Sequence, residues 1–552
     1  MTTDTLRARL SYEPAELHFG TSGRRGKVVD LTQLEITATA TAELRYFLSL
    51  PKDQGGIRPG ERFFYARDLR PSSAAFDPEQ GGRGEIAQAI EQAIRDAGLI
   101  PVNLGRVPTP ALAAYALNQN CGSMMITGSH IPFDRNGYKA NSSRGELSKT
   151  DEAPIEREVA AVRAALYETP FDQSPFDARG MFKAGHRELS PEDGAGRAAY
   201  IARYRDFFAG ASLAGKTVVV YQHSAVGRDL VVEVLTGFGA TVIPAGRSGS
   251  FVPIDTEAID DATLTGVQSL ADAAARESGK RIDAVVSTDG DSDRPLMLGV
   301  EPSGAVRFFG GDLLGMVVAE TLGAQSVVVP ISCNDAIDRG ALRDKLEPKT
   351  KIGSPYVIAG MDAARAAGKT AICGWEANGG FLTGSAFVRN GHTLPALPTR
   401  DALLPLLTVL FRAAETNQSV VELFAALPHR YSKAALLRQF PRESSDKIVA
   451  LLSPDTPNVR REIEAVFTAV HGFSSVARLE YTDGVRIYFD SGDVAHIRPS
   501  GNAPELRVYA VADTQARADA IAAFGVAEPD GALRQFERRI GGGISAILDL
   551  IY

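Results

Sequence analysis

The chain has 552 residues, too many for one hydrophobic core, and at about 150 residues per domain this length predicts three to four domains. Hydrophobic residues make up 44% and charged residues 23%, which are globular proportions. The net charge of -8 gives no support for a nucleic-acid or membrane-surface partner, because both need a broad basic face.

Cysteine usage and the N-terminus favour a cytoplasmic protein. Cys121, Cys333 and Cys373 do not have a metal-ligand spacing, and we expect buried thiols in a reducing compartment. The first twenty residues carry acids and a proline where a signal peptide needs an apolar stretch. No run approaches the roughly 20 apolar residues of a membrane span.

Three β-rich runs each lead through a polar turn into a helical segment, and each unit then reaches a second strand that ends in a polar loop. The first strands are predicted at 62–68, 216–222 and 326–332, and the second at 123–127, 284–288 and 370–375. Parallel sheets bind ligands beyond the carboxyl ends of their strands. The pattern therefore predicts three α/β domains that converge on one cleft.

After residue 428 the chain alternates like antiparallel strands with one solvated face, which predicts a smaller domain. The predicted fold is α/β: three successive mixed α/β domains around a central cleft plus a smaller C-terminal α+β domain. The predicted boundaries are 1–197, 198–302, 303–427 and 428–552. The stretch 151–197 is rich in Pro, Asp, Glu and Gly and predicts an irregular excursion or linker.

The segment GASLAGKT (210–217) fits the nucleotide-binding pattern GxxxxGK[ST]. Such a loop must follow a strand and open a helix. Here a helical segment precedes it and a strand follows, so we expect no nucleotide.

The loop TGSHIPFDRNGYK (127–139) sets Ser129 beside His130 and follows them with Lys139. A Ser-His pair without an orienting acid does not support a hydrolase triad. A glycine-loosened loop of this composition can hold a covalently attached phosphate. Lys139 would then neutralise the phosphate or, with a lowered pKa, act as an acid or base.

The segment DGDSDR (289–294) places Asp289, Asp291 and Asp293 at alternate positions directly after a strand. Their oxygens suit Mg²⁺ or Ca²⁺. An EF-hand is excluded because Arg294 stands where it needs glycine and Val300 where it needs glutamate. A solvated Asp-rich turn is the alternative.

Two later motifs suit a phosphorylated sugar. In GWEANGG (374–380), Glu376 and Asn378 offer an acceptor and an amide to sugar hydroxyls. In RPSGNAPELR (498–507), two arginines flank a Ser-Gly-Asn turn whose amides can line an anion nest. An ordinary strand exit and a surface turn are the alternatives.

In this order the four motifs resemble the active-site loops of the α-D-phosphohexomutases, the phosphomannomutase and phosphoglucomutase family. The resemblance implies that Ser129 is the phosphoserine, that His130 positions it and that Lys139 is the general acid/base. It implies Mg²⁺ held by the three aspartates together with the phosphate on Ser129.

HFGTSGRRG (18–26) resembles the family's N-terminal signature and places Arg25 near the phosphoserine. GSPYVIAGM (353–361) resembles another cleft loop, whereas Arg67, Asp68 and Arg70 match scaffold positions. The resemblance implies these substrate-binding residues: Thr21, Ser22, Arg294, Tyr356, Glu376, Asn378, Arg498, Ser500, Gly501, Asn502 and Arg507.

The resemblance implies an enzyme that interconverts hexose 6-phosphate and hexose 1-phosphate through a hexose 1,6-bisphosphate intermediate. Phosphomannomutase activity is the first expectation and phosphoglucomutase activity the alternative. A non-catalytic sugar-phosphate-binding protein is the alternative of another class. The family usually has Ala at Gly128, Gly at Ser292 and Ser at Asn378, so the reaction type transfers better than the sugar identity.

Overall fold

The computed structural model of the protein describes residues 4–20, 23–257, 259–500 and 504–548. Within these ranges no helix is both long enough and apolar enough to cross a bilayer. The predicted site residues Thr21, Ser22, Gly501 and Asn502 lie outside the described residues.

The first unit holds one main sheet flanked by helices. Its elements are α1 (Leu6–Arg9), β1 (Arg24–Lys27), α2 (Gln33–Ser49), β2 (Arg62–Arg67), β3 (Phe76–Asp77), β4 (Arg83–Gly84), α3 (Ile86–Asp96), β5 (Ile100–Arg106), α4 (Thr109–Asn118), β6 (Ser123–Ile126), β7 (Arg135–Ser142), β8 (Gly145–Glu146) and α5 (Lys149–Glu168). The sheet order is β1-β7-β6-β2-β5, with β8 paired to β7. Strand β2 lies parallel to β5 and β6, so three carboxyl ends meet at one edge.

The irregular excursion predicted within 151–197 begins after residue 168, because α5 is a helix that continues to Glu168. Ser148 and Asp151 form a capping box at its start. The acidic residues in the first turn interact favourably with the positive end of the helix dipole. Pro154 lies inside this helix. After residue 168 the chain has no regular helix or strand until residue 195.

The second unit again has parallel strands at its centre. Its elements are α6 (Ala195–Phe207), β9 (Thr217–His223), α7 (Arg228–Gly237), β10 (Thr241–Arg247), α8 (Asp261–Ser278), β11 (Ala284–Thr288), β12 (Pro295–Val300) and β13 (Val306–Phe308). The order is β10-β9-β11-β12-β13, with β9 parallel to both neighbours. The segment 210–217 lies between α6 and β9, the reverse of the order that a nucleotide-binding loop needs.

The third unit has the sheet order β14-β15-β16-β19 and a separate hairpin. Its elements are α9 (Gly311–Leu322), β14 (Ser326–Val328), α10 (Ser354–Ala366), β15 (Ile372–Trp375), β16 (Phe381–Thr383), β17 (Phe387–Arg389), β18 (His392–Leu394), β19 (Leu397–Asp401), α11 (Leu403–Glu415) and α12 (Val420–Ala425). One hydrophobic core runs through the first three units, from Phe64 to Leu427. This shared core fixes the three sheets relative to one another.

The fourth unit is an antiparallel sheet, β20-β24-β23-β22-β21, covered by helices. Its elements are β20 (Tyr431–Arg438), α13 (Arg442–Leu451), α14 (Pro457–Glu464), β21 (Val476–Glu480), β22 (Val485–Phe489), β23 (Val494–Pro499), β24 (Glu505–Ala512), α15 (Gln515–Val526) and α16 (Ala532–Leu548). It has a hydrophobic core of its own, from Leu437 to Phe536. The predicted fold class is confirmed, while the four domain boundaries stay a prediction.

Candidate active site

The serine loop follows β6 and is held by an aspartate of the neighbouring strand end. The Ser129 amide donates to the Thr127 hydroxyl at 2.7 Å, and that hydroxyl donates to Asp68 at 2.8 Å. Ser129 has a φ of 52°, in the left-handed region that a non-glycine residue adopts at a cost. The surrounding contacts therefore hold the serine in a strained backbone position.

Arg70 holds the same loop from the other side through hydrogen bonds. Its guanidinium donates to the carbonyl oxygens of Ser129 at 3.1 Å and Pro132 at 2.8 Å, and it lies 3.7 Å from the ring centre of Phe251. A Cβ atom at Gly128 would lie 2.5 Å from the Arg70 Cζ atom. Glycine at a position where the family usually has alanine thus makes room for this guanidinium, which agrees with a scaffold role for Arg70.

The three aspartates of DGDSDR form one buried cluster with ligand oxygens within 4.8 Å of one another. The Ser129 hydroxyl donates to Asp289 Oδ2 at 2.7 Å. Lys139 Nζ donates at 2.7 Å to Asp291 Oδ2 and also at 2.7 Å to Asp293 Oδ2. The structure thus brings together five predicted residues from two units.

This cluster fits a hard divalent cation. The Oδ1 atoms of Asp291 and Asp293 are buried and accept no hydrogen bond from the described residues. Buried carboxylate oxygens without a partner are costly, and a cation bound by oxygen ligands would satisfy them. The donor set is therefore that of a metal-binding site.

The pKa values of two aspartates in the cluster are shifted in opposite directions. Burial and the charges of Asp291 and Asp293 raise the pKa of Asp289 well above its usual range. Burial also acts to raise the pKa of Asp291, but the Lys139 ammonium outweighs it and lowers this pKa well below its usual range. The cluster therefore carries more negative charge than Lys139 alone can balance.

The Asp loop contains a second strained residue. Ser292 has a φ of 58°, in the left-handed region that glycine adopts at least cost. Its hydroxyl oxygen accepts from the Gly227 amide at 2.9 Å and from the Thr288 hydroxyl at 2.8 Å. These two bonds offset part of the backbone cost.

Arg25 and His130 lie beside the serine loop. The Arg25 guanidinium donates to the carbonyl oxygen of Tyr138 at 3.2 Å, and burial lowers its pKa to about 10. His130 Nδ1 lies 3.4 Å from Ser129 Oγ. Burial and the positive charge of Arg294 lower the His130 pKa to about 3, so its ring is neutral near pH 7.

Arg400 is a site residue that the sequence did not reveal. Its side chain is 4% exposed; Nε and Nη2 contact Asp293 Oδ2 at 3.1 and 3.0 Å, and Nη1 contacts Glu376 at 3.1 Å. It joins the aspartate cluster to the predicted sugar loop. Arg400 lies near the end of β19, before α11, and this position at a strand end is the one sequence feature that it shares with the other site residues.

The predicted sugar loop follows β15. Glu376 is buried and already accepts from Arg400. Asn378 uses its side-chain oxygen to accept from the Gly380 amide at 3.0 Å, which shapes the turn. Tyr356 lies in the first turn of α10, and among the described residues no hydrogen bond or ion pair joins it to another predicted site residue.

The predicted phosphate loop lies in the fourth unit, where Arg498 and Arg507 are direct partners across β23 and β24. Arg498 Nε donates to Asp483 at 3.0 Å, and Arg507 Nη2 donates to Glu505 at 3.1 Å. Arg507 Nε is buried and has no hydrogen-bond partner among the described residues. Ser500 is buried, and its carbonyl oxygen accepts from Arg442.

Comparisons with known proteins identify the family and the fold of the chain. Residues 16–165, 310–431 and 453–527 match family models described as phosphoglucomutase/phosphomannomutase alpha/beta/alpha domain I, alpha/beta/alpha domain III and C-terminal domain. A protein of Sinorhizobium fredii named phosphomannomutase is 38% identical over 92% of this chain and 98% of its own length. One of Salmonella muenchen with the same name is 37% identical over 90% and 92%. The crystal structure of a phosphoglucomutase/phosphomannomutase family protein from Burkholderia thailandensis has a TM-score of 0.63 at 18% identity, covering 94% of this chain and 99% of that one.

We predict that Arg400→Ala lowers the melting temperature by several degrees, because it leaves Glu376 buried without its ion-pair partner and removes one of the two close cations of Asp293, which keeps Lys139. Breaking a buried pair costs about 3–5 kcal/mol. Arg412→Ala, an exposed arginine of the neighbouring α11, is the control and should melt within about 1 °C of the wild type. Equal melting of the two variants in differential scanning fluorimetry would contradict the bridging role.

Proposed function

Because the chain belongs to the phosphoglucomutase/phosphomannomutase family, the α-D-phosphohexomutases, we propose that it interconverts mannose 6-phosphate and mannose 1-phosphate. It is a phosphomutase. Identities of 38% and 37% to two proteins named phosphomannomutase, over most of each chain, support mannose phosphate as its substrate. Glucose phosphate is the alternative substrate, since the two sugars differ only in configuration at C2.

The observation that carries the proposed mechanism is the bond from the Ser129 hydroxyl to Asp289, at the edge of the aspartate cluster. We assign Ser129 as the phosphoryl carrier. A hydroxyl of the bound monophosphate attacks the phosphorus atom, and the bond from phosphorus to Ser129 Oγ breaks. This forms a hexose 1,6-bisphosphate, which turns over in the cleft and returns its other phosphate to Ser129.

Such a transfer depends on positioning and charge stabilisation. We assign Asp289, Asp291 and Asp293 to hold Mg²⁺, which when bound neutralises negative charge on the transferred group. Lys139 is assigned to balance the phosphate on Ser129 as an ammonium, and in its neutral amine form to take the proton of the attacking hydroxyl. His130 and Arg25 orient the loop that carries the serine.

The far end of the cleft is assigned to the sugar and to the phosphate that is not transferred. Glu376 accepts from sugar hydroxyls, and Asn378 shapes that loop. Arg498 and Arg507 bind the second phosphate, with Ser500, Gly501 and Asn502 in the same loop. We assign Thr21, Ser22, Arg294 and Tyr356 as further contacts with the substrate. The fourth unit has its own core, so it can move as a lid that keeps water from the phosphoserine.

A non-catalytic sugar-phosphate-binding protein is the competing hypothesis of another class. Such a protein has no need of a phosphoryl carrier or of a buried metal site. This chain keeps Ser129, the three aspartates and Lys139 in mutual contact. The retention of these residues in contact favours the enzyme hypothesis.

We predict that Ser129→Ala lowers turnover by at least roughly a thousandfold, because direct transfer between two substrates has no positioned donor. Intact-mass measurement should find one phosphate on the wild type and none on the variant. Ser142→Ala, at the end of β7, is the control and should keep both the phosphate and the activity. Phosphate on another residue, or an active Ser129→Ala variant, would refute the mechanism.

Arg498→Ala should raise KM in both reaction directions, because the bisphosphate must bind in two orientations. Charge-assisted hydrogen bonds contribute about 1.5–3 kcal/mol, which corresponds to roughly ten- to a hundredfold in kcat/KM. The phosphate on Ser129 should persist. Arg478→Ala, an exposed arginine of the same unit, is the control. An unchanged KM in a variant that melts like the wild type would make Arg498 a surface residue.

A further inference from the structure

A cavity of about 360 Å³ lies between the first and second units, apart from the serine and aspartate loops. Arg106 and Pro108 line it from the first unit, and Arg197 on α6, Arg228 and Arg247 line it from the second. Neither Ser129 nor the aspartate cluster is among its lining residues. Its volume falls in the range of about 300–1,000 Å³ that is typical of small-molecule sites.

The cavity occupies a position that favours ligand binding in α/β proteins. Strand β5 ends at Arg106 and β10 ends at Arg247, so the carboxyl ends of two parallel sheets face it. Helices α4, α6 and α7 also begin at its wall, and their N-cap residues Pro108, Gly194 and Gly227 give them no side-chain cap. The positive ends of three helices therefore add to the arginine charges.

The acidic residues that line the cavity already have hydrogen-bond or ion-pair partners. Glu192 accepts from Arg67 at 2.8 Å, Asp193 accepts from the Ala195 amide at 2.8 Å, and Asp229 pairs with Arg247 at 2.6 Å. Each of the three carboxylates thus has a donor from the protein itself. Arg67 and Arg247 balance the charges of Glu192 and Asp229, and only the charge of Asp193, whose donor is a neutral amide, is left to offset the remaining arginines.

Two arginines of the cavity have no carboxylate partner among the described residues. Arg228 Nη1 donates only to the carbonyl oxygens of His223 at 2.7 Å and Ser248 at 2.9 Å. Arg106 is exposed, and its side chain makes no hydrogen bond or ion pair within the part of the chain that the structure describes. Burial and the positive charge of Arg247 lower the pKa of Arg228, so a bound anion would relieve an unfavourable charge.

We propose that this cavity binds a phosphorylated small molecule, with its dianionic phosphoryl group between Arg106 and Arg228, as a second site apart from the one that carries Ser129. Guanidinium groups match the geometry of phosphate oxygens and bind them with charge-assisted hydrogen bonds.

The cavity wall also holds the aspartate loop, which gives its occupant a route to the catalytic cluster. The Val226 amide donates to the Gly290 carbonyl at 3.0 Å, and the Gly227 amide donates to Ser292 Oγ at 2.9 Å. On the opposite wall, Thr109 follows Pro108 and donates its hydroxyl to Asp291 at 2.7 Å. A ligand that draws the two walls together therefore acts on the loop that holds the metal ligands, and the site is regulatory.

Hydrogen–deuterium exchange of the full chain, read by mass spectrometry in a titration with inorganic phosphate, tests this site. In the wild type, phosphate should protect segments 193–197 and 226–230. Arg106→Ala should need at least about tenfold more phosphate for the same protection. Arg205→Ala removes the same charge from an arginine that is 70% exposed on α6 and outside the cavity lining, and it should behave as the wild type.

Segment 127–139 reports phosphate binding at the serine loop, and at saturating phosphate its protection should be the same in all three proteins. Succinate, a dianion without a phosphoryl group, should give no protection of 193–197 at equal concentration. The proposal fails if the wild type shows no protection of these segments, if Arg106→Ala and Arg205→Ala titrate alike, or if succinate protects as well as phosphate.

Discussion

Three carboxylates buried within a few ångströms of one another are the constraint on which the rest of this structure depends. Asp289, Asp291 and Asp293 repel one another, and removing their charges from water is costly without compensation. Arg294 of the same loop lies 4.0 Å from Asp289 and 3.8 Å from Asp293, and the closer cations come from other sheets. Lys139 lies on β7 of the first unit, and Arg400 lies on β19 of the third. Balancing the charges of the three aspartates therefore depends on the convergence of the three sheets.

The fourth unit is attached to the rest of the chain in a different way. It has its own core and is attached to the third unit through polar contacts rather than a shared hydrophobic one. Arg430 is fully buried and binds Asp335 at 2.6 Å and Asp513 at 2.7 Å, so one side chain bridges the third and fourth units. Asp483 adds a link by accepting from the Ile352 amide at 3.0 Å. Directional bonds of this kind suit the proposed role of the fourth unit as a mobile lid that carries Arg498 and Arg507.

The local motifs were predictable from the sequence, and the contacts through space were not. Ser129 and the three aspartates lie in short segments whose spacing is itself the signal. Arg70 is 59 residues from Ser129, and Arg400 is 107 residues from Asp293, so no single window of sequence relates these pairs. Helix α5 was missed because proline and acidic residues predict a loop by composition, whereas its capping box involves two residues only.

Metal binding tests the central claim, the assembly of a cation site from the balanced aspartate cluster, most directly. Titration calorimetry of the wild type should detect a single Mg²⁺ site, which Asp291→Asn should weaken at least about tenfold. Asp272→Asn changes an exposed acid on α8, outside the cluster, and should bind Mg²⁺ like the wild type. Equal affinity in the two variants, or no Mg²⁺ binding by the wild type, would contradict the account.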